Sequence, residues 1–209
     1  MLINTKNYKN IIFDLGGVII NIDYSLVVKA FADLGILNFD ELYSQAHQNN
    51  LFDNLEKGKI SAAEFRKEIR RCCNKNLTDE QIDHAWNAIL LDIPAARLKL
   101  LQQLKKTHRT FLLSNTNEIH MVAIDKYLQQ TYGVPDLSGY FEKKYLSYEV
   151  GMRKPDAEIF ELVLAENNLN PSETLFIEDS IQHIEAAKRL GIQTHWLQKG
   201  EEVLDLGLV

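Results

Sequence analysis

The chain has 209 residues, 45% of them hydrophobic, which suits one packed domain of moderate size or a domain carrying an insertion. Its net charge of −6 argues against a nucleic-acid partner, and no apolar run approaches the ~20 residues that cross a bilayer, so neither nucleic acid nor membrane is expected as a partner. The two cysteines, Cys72 and Cys73, are adjacent, where bonding to each other is strained, and residues 1–9 hold no apolar signal core; a reducing, cytoplasmic setting is expected, for a monomer or a homodimer.

The first predicted element is a short buried strand over residues 11–13, which ends on Asp14 and runs into Gly16 and Gly17. A strand that stops on a carboxylate and two glycines presents a charged oxygen at the carboxyl edge of a sheet and leaves the backbone open to close approach. Between Asp23 and Ile93 the pattern is helical throughout. Ser61 with Glu64 and Thr78 with Gln81 are capping boxes that mark two helix starts, and Ile60, Phe65, Ile69, Ile82, Trp86, Ile89 and Leu90 supply apolar faces. About 70 residues is long for a crossover connection, so residues 23–93 read as an inserted helical cap domain, with residues 1–22 and 94–209 as the core domain and hinges at 21–24 and 91–94. The alternative is one continuous core with a long helical excursion.

Beyond the insert, strands and helices alternate. A helix over 94–105 carries Leu98, Leu101 and Leu104 on one stripe. A strand over 110–113 ends on Ser114, and a weaker one covers 144–146. A helix over 156–167 carries Ile159, Phe160, Val163 and Leu164. A strand over 174–177 ends on Glu178 and Asp179. A helix over 180–190 carries Ile181, Ile184, Ala187 and Leu190, and a last strand covers 193–197. This order predicts an α/β fold: a doubly wound, Rossmann-like parallel sheet with helices on both faces.

Each polar group at a strand end has an ordinary explanation taken alone. Asp14 can cap a turn, Ser114 can cap the next helix, Lys154 can be a solvated lysine, and Glu178 and Asp179 can cap the helix that begins near Ser180. Taken together they change meaning, because strand carboxyl ends converge in a doubly wound sheet. A nucleophilic carboxylate, a hydroxyl, a fixed cation and hard oxygen ligands suited to Mg²⁺ would then share one crevice, the inventory of phosphoryl transfer.

The order Asp14, Ser114, Lys154-Pro155 and Glu178-Asp179, with a helical insert after the first motif, resembles the haloacid dehalogenase superfamily over essentially the whole chain. Phe13-Asp-Leu-Gly-Gly-Val18, Leu113-Ser-Asn-Thr-Asn117 with His120, Tyr145-Leu-Ser147 and Gly151-Met-Arg-Lys-Pro155 are similar to bacterial sugar-phosphate phosphatases of the α-D-glucose-1-phosphate phosphatase kind. The resemblance implies that Asp14 attacks phosphorus to give an aspartyl-phosphate, which water hydrolyses. It implies Mg²⁺ held by Asp14, the main-chain carbonyl of Gly16 and Asp179, with Glu178 in support. Ser114 and the Asn115 amide would bind the transferring phosphoryl group, Lys154 would neutralise it, and the substrate would be a small phosphorylated metabolite.

Gly16 departs from the pattern. Phosphatases of this family usually carry a second aspartate two residues after the nucleophile as general acid and base, and its loss costs about 10²–10⁴-fold in rate. Three explanations compete: a good leaving group, a substitute acid such as Asp23 or a cap residue, or a slow or non-catalytic protein. Glu56, Lys57 and Lys59 around Gly58 resemble a loop that enters the site in capped relatives, with Lys59 as a substrate-binding residue; a solvated turn is the plainer alternative. The rival functions are a metal-independent 2-haloacid dehalogenase, against which Glu178 and Asp179 argue, and a non-catalytic phosphometabolite-binding regulator.

Overall fold

The computed structural model describes residues 2–37 and 50–209. Strands β1 (Asn10–Phe13), β2 (Arg109–Ser114), β3 (Lys143–Leu146), β4 (Thr174–Glu178) and β5 (Gln193–Trp196) form one sheet in the order β3-β2-β1-β4-β5. All four pairings are parallel, and Ile12 stands opposite Phe111 on one side and Phe176 on the other. The chain leaves β1 for β2 on one side and later returns to β4 on the other. The carboxyl ends of β1, β2 and β4 therefore flank the crevice where open α/β sheets bind ligands.

Between β1 and β2 the chain forms α1 (Ser25–Asp33), α2 (Leu51–Glu56), α3 (Ala62–Cys73), α4 (Asp79–Asn87) and α5 (Ala95–Leu104). Both anticipated capping boxes are formed, at Ser61 for α3 and at Thr78 for α4. Each contributes about 1 kcal/mol to helix stability. After β2 come α6 (Glu118–Tyr132), the single turn α7 (Ser147–Val150), α8 (Ala157–Asn167) and α9 (Ile181–Arg189). Cys72 and Cys73 are free thiols in α3.

The strands read as continuous apolar runs because both faces are covered. Ile11, Phe13, Leu112, Leu175 and Ile177 pack into one layer with Leu101, Leu104 and Ile124. Ile12, Phe111, Leu113 and Phe176 alternate to the opposite layer, against Ile159, Phe160, Val163 and Ala187. A third cluster gathers Val27, Phe31, Leu55, Phe65, Ile69 and Ile82 from α1–α4, joined by Ile119 of α6. Where the chain enters and leaves this helical region it pairs with itself: Asn21 N–H donates to Asp92 O, Leu91 N–H to Asn21 O and Asp23 N–H to Ile89 O, each at 2.9 Å.

Two local expectations need correction. The predicted stripe of α9 included Ile181, which is 42% exposed. A helix that follows a strand starts at the sheet's carboxyl edge, where the packing layer ends, and burial begins at Ile184. Ser114 does not cap the helix after β2. Asn117 does, its side chain accepting from the His120 amide.

Candidate active site

Asp14 follows β1 directly, and its amide donates to Ile177 O at 3.0 Å, which holds the carboxylate between β1 and β4. Lys154 reaches it from the loop before α8. The Lys154 ammonium is completely buried and lies 2.7 Å from Asp14 Oδ1, 2.6 Å from Glu178 Oε2 and 2.9 Å from the Leu113 carbonyl. Three acceptors for three N–H bonds leave the ammonium satisfied. Burial disfavours its charge, yet Asp14 and Glu178 outweigh that and hold its pKa above the ordinary lysine value. Glu178 also accepts from the Ser180 amide at 3.1 Å, and His183 Nδ1 lies 3.0 Å from Oε2. Burial alone would raise the Glu178 pKa, but Lys154 and His183 drive it well below the usual carboxylate range.

The lysine is placed by Asn115, whose carboxamide closes a pair of hydrogen bonds on the Lys154 backbone. Its Oδ1 accepts from Lys154 N–H at 2.9 Å and its Nδ2 donates to Lys154 O at 2.8 Å. The next residue, Thr116, is tied to the end of β3 by Ser147 Oγ, which accepts from Thr116 N–H at 2.9 Å and donates to Thr116 O at 3.0 Å. These bonds fix the β2 exit loop with Ser114 at its base, 2% exposed.

Asp179 completes the set. Carboxylate oxygens of Asp14, Glu178 and Asp179 all lie within 4.8 Å of one another. Burial first, then repulsion from Glu178, raises the Asp14 pKa to about 8, against the pull of Lys154. Burial and Glu178 likewise raise Asp179 to about 7. One buried lysine does not neutralise three converging carboxylates. A hard divalent cation takes oxygen ligands of this kind, and the donor chemistry fits Mg²⁺.

Above this floor lies a cavity of about 400 Å³. Gly16, Ser114, Asn115 and Thr116 line it from below. Glu56 and Trp86 line it from the helical insert and His120 from α6, with a wall of Val27, Phe52, Ile89 and Leu90. Trp86 is sandwiched, its ring stacked on His120 at 5.3 Å and on Phe52 at 5.2 Å. His120 Nδ1 lies 2.8 Å from Asn87 Oδ1, and burial pulls the His120 pKa down to about 4.

Residues 8–191 match the family of haloacid dehalogenase-like hydrolases. The chain is 38% identical over 194 residues to a D-ribitol-5-phosphate phosphatase of Bacteroides thetaiotaomicron, covering 93% of this chain and 94% of the relative. It belongs to the haloacid dehalogenase-like hydrolase family. Its fold superposes with a TM-score of 0.84 on a haloacid dehalogenase family enzyme of B. thetaiotaomicron in complex with magnesium and inorganic phosphate, 41% identical, covering 93% of this chain and 96% of that one. A predicted hydrolase of the same family from Porphyromonas gingivalis, 34% identical, gives 0.84 with 93% of each chain covered.

In this hydrolase the structure brings Asp14, Lys154, Glu178 and Asp179 together, and Ser114 lines the adjoining chamber with Gly16 and Asn115. It does not bring Lys59 to the cavity. Lys59 is exposed, its amide bonded to Asn54 O, and it is not among the residues lining the chamber. Its neighbour Lys57 pairs with Asp156 at 2.9 Å. Asp23 accepts from both the amide and the hydroxyl of Ser25 at the start of α1, and those bonds hold its pKa below the ordinary value, so it acts as a helix-start anchor. Sequence reasoning missed Arg153, which pairs with Asp53 and lies 3.1 Å from Glu56 Oε2, and the side-chain role of Asn115. The only available signal for Arg153 was its position beside Lys154.

Proposed function

We propose that this hydrolase is a Mg²⁺-dependent phosphatase of small phosphorylated metabolites, sugar and polyol phosphates, working through an aspartyl-phosphate on Asp14. The observation that carries this reading is the buried Lys154 bridging Asp14 and Glu178, with Asp179 close enough to share a cation. The D-ribitol-5-phosphate phosphatase supports it, as does a phosphorylated carbohydrates phosphatase of Thermotoga maritima, 25% identical over 206 residues.

Asp14, the Gly16 carbonyl and Asp179 would hold Mg²⁺, with Glu178 orienting the set through Lys154. The bound ion would supply positive charge against the phosphoryl oxygens. Lys154 favours the ionised form of Asp14 against burial and Glu178 and aims it, so its carboxylate displaces the alcohol in line, forming the O–P bond as the ester O–P bond breaks. Ser114 Oγ and the Asn115 amide donate to the equatorial oxygens, where charge concentrates in transfer. Water then attacks the acyl phosphate at phosphorus and restores Asp14. The described residues between 23 and 93 would form the cap over a core of the described residues in 1–22 and 94–209, with residues 38–49 of the proposed cap outside the described residues, and the free thiols fit a reducing cytoplasm.

The test is phosphate release from a panel of hexose, pentose, pentitol and triose phosphates with Mg²⁺. Release that stops with EDTA and with Asp14→Asn supports the assignment. Tight binding without release would make the protein a metabolite sensor, and chloride release from 2-chloropropionate would make it a dehalogenase.

A further inference from the structure

The phosphatase reading leaves one chemical gap. Gly16 has no side chain, so nothing at that position can protonate the departing alkoxide or deprotonate the attacking water. Among the described residues lining the chamber, Glu56 is the only carboxylic acid. It is the last residue of α2, and α2 is fastened to the loop that carries Lys154. A Cβ on Gly58 would overlap the Tyr148 carbonyl oxygen, so backbone meets backbone directly there. Lys57 pairs with Asp156, and Arg153, the residue before Lys154, pairs with Asp53 and sits 3.1 Å from Glu56 Oε2. One dipeptide thus serves both halves of the site: Lys154 binds Asp14 on the floor and Arg153 fixes Glu56 in the roof.

We propose that Glu56 carries the proton for both half-reactions in place of the side chain that Gly16 lacks. The inference rests on the phosphatase reading above. In the first half-reaction the protonated Glu56 carboxyl gives its proton to the ester oxygen as that oxygen leaves phosphorus and Asp14 bonds to it. In the second, the Glu56 carboxylate takes a proton from water as the water oxygen bonds to phosphorus and the Asp14 acyl-phosphate bond breaks. Glu56 ends protonated and Asp14 ionised, so the cycle closes.

The surroundings agree with this role. Glu56 Oε2 is buried and receives no aligned hydrogen bond, although Arg153 is near. Burial and the neighbouring Asp53 favour the protonated carboxyl, while Arg153 and Lys154 oppose it, and the balance lies above the ordinary glutamate pKa. A carboxyl held above the ordinary glutamate range favours leaving-group protonation. The other candidates fit less well. His120 is held neutral by burial, and Asp23 is held as a carboxylate by Ser25.

The experiment compares Glu56→Gln with the wild type on a primary alkyl phosphate, glycerol 1-phosphate, and on p-nitrophenyl phosphate, whose phenolate leaves without protonation. The expected result is a fall in kcat/KM of about 10²–10⁴-fold on the alkyl ester. On the aryl ester rapid mixing should show a burst of nitrophenolate near one equivalent per site, followed by slow turnover, because phosphorylation of Asp14 no longer needs the acid while hydrolysis still needs the base. Equal losses on both esters without a burst, or no loss on the alkyl ester, would overturn the proposal. If Glu56→Gln does not fold, Glu56→Asp takes its place: the shortened acid should slow the alkyl ester more than the aryl burst, and equal slowing would overturn it. A wild-type protein that hydrolyses neither ester with Mg²⁺ would instead remove the phosphatase reading itself.

Discussion

The Asp179 carboxylate occupies the space where a Cβ on Gly17 would stand, and Gly17 itself has φ +74°. The second glycine of the first motif thus makes room for a carboxylate just past the end of β4, 162 residues later. Gly17→Ala should displace Asp179 and strain the backbone together, costing at least about 1 kcal/mol of stability. We expect a lower Tm and a weakened affinity for Mg²⁺, read by calorimetry. Unchanged Mg²⁺ affinity would remove Asp179 from the metal set.

Lys154→Met should silence turnover and destabilise the fold. Removing one partner from a buried ionic cluster leaves uncompensated charge, at a cost of about 3–5 kcal/mol. The loss should be larger at pH 8 than at pH 5, where protonation of Asp14 relieves the repulsion with Glu178. Denaturant unfolding at both pH values measures it, and a loss independent of pH would contradict the charge argument.

Mg²⁺ binding should release protons. In the metal-free protein Asp14 and Asp179 titrate near 8 and 7, so at pH 7 part of this set is protonated. Affinity should rise as pH increases from 6 to 8, and the binding heat should vary with the ionisation enthalpy of the buffer. The same raised pKa values set the sign for stability. The folded state binds more protons than the unfolded chain between about 4 and 8, so the metal-free protein should lose stability as pH rises through that window. Asp14→Asn should therefore raise Tm at pH 8 while abolishing turnover.

His120 should act in the opposite sense. Its folded pKa of about 4 lies below the ordinary histidine value of about 6.5, so the unfolded chain binds the extra proton between them. Its contribution to stability is complete above about 6.5 and lost as pH falls toward 4. Because His120 stacks on Trp86, its protonation should quench indole fluorescence near pH 4. His120→Gln should remove that transition, and a quench that persists would assign it elsewhere.

Local sequence chemistry carried much of this protein. Apolar runs of three residues closing on Asp14, Ser114 and Glu178 located the strand ends within a residue, because a strand buried on both faces admits few polar positions. The capping boxes at Ser61 and Thr78 were equally legible, since each is a bond pattern among residues three apart. Ser-Asn-Thr-Asn117 was not, because several side chains there can cap α6. The choice fell to Asn117 once Asn115 was committed to the Lys154 backbone and Thr116 to Ser147.

The linear pattern therefore determined the alternation of strands and helices and the residue types at each strand end, as these follow from periodicity and local hydrogen bonding. Only the tertiary structure decided that Lys154 faces Asp14 while Arg153 faces Glu56, that Lys59 stays outside the chamber, and that Gly17 yields its space to Asp179. Those relationships join residues up to about 160 positions apart. They depend on which elements pack together, which no short-range pattern encodes.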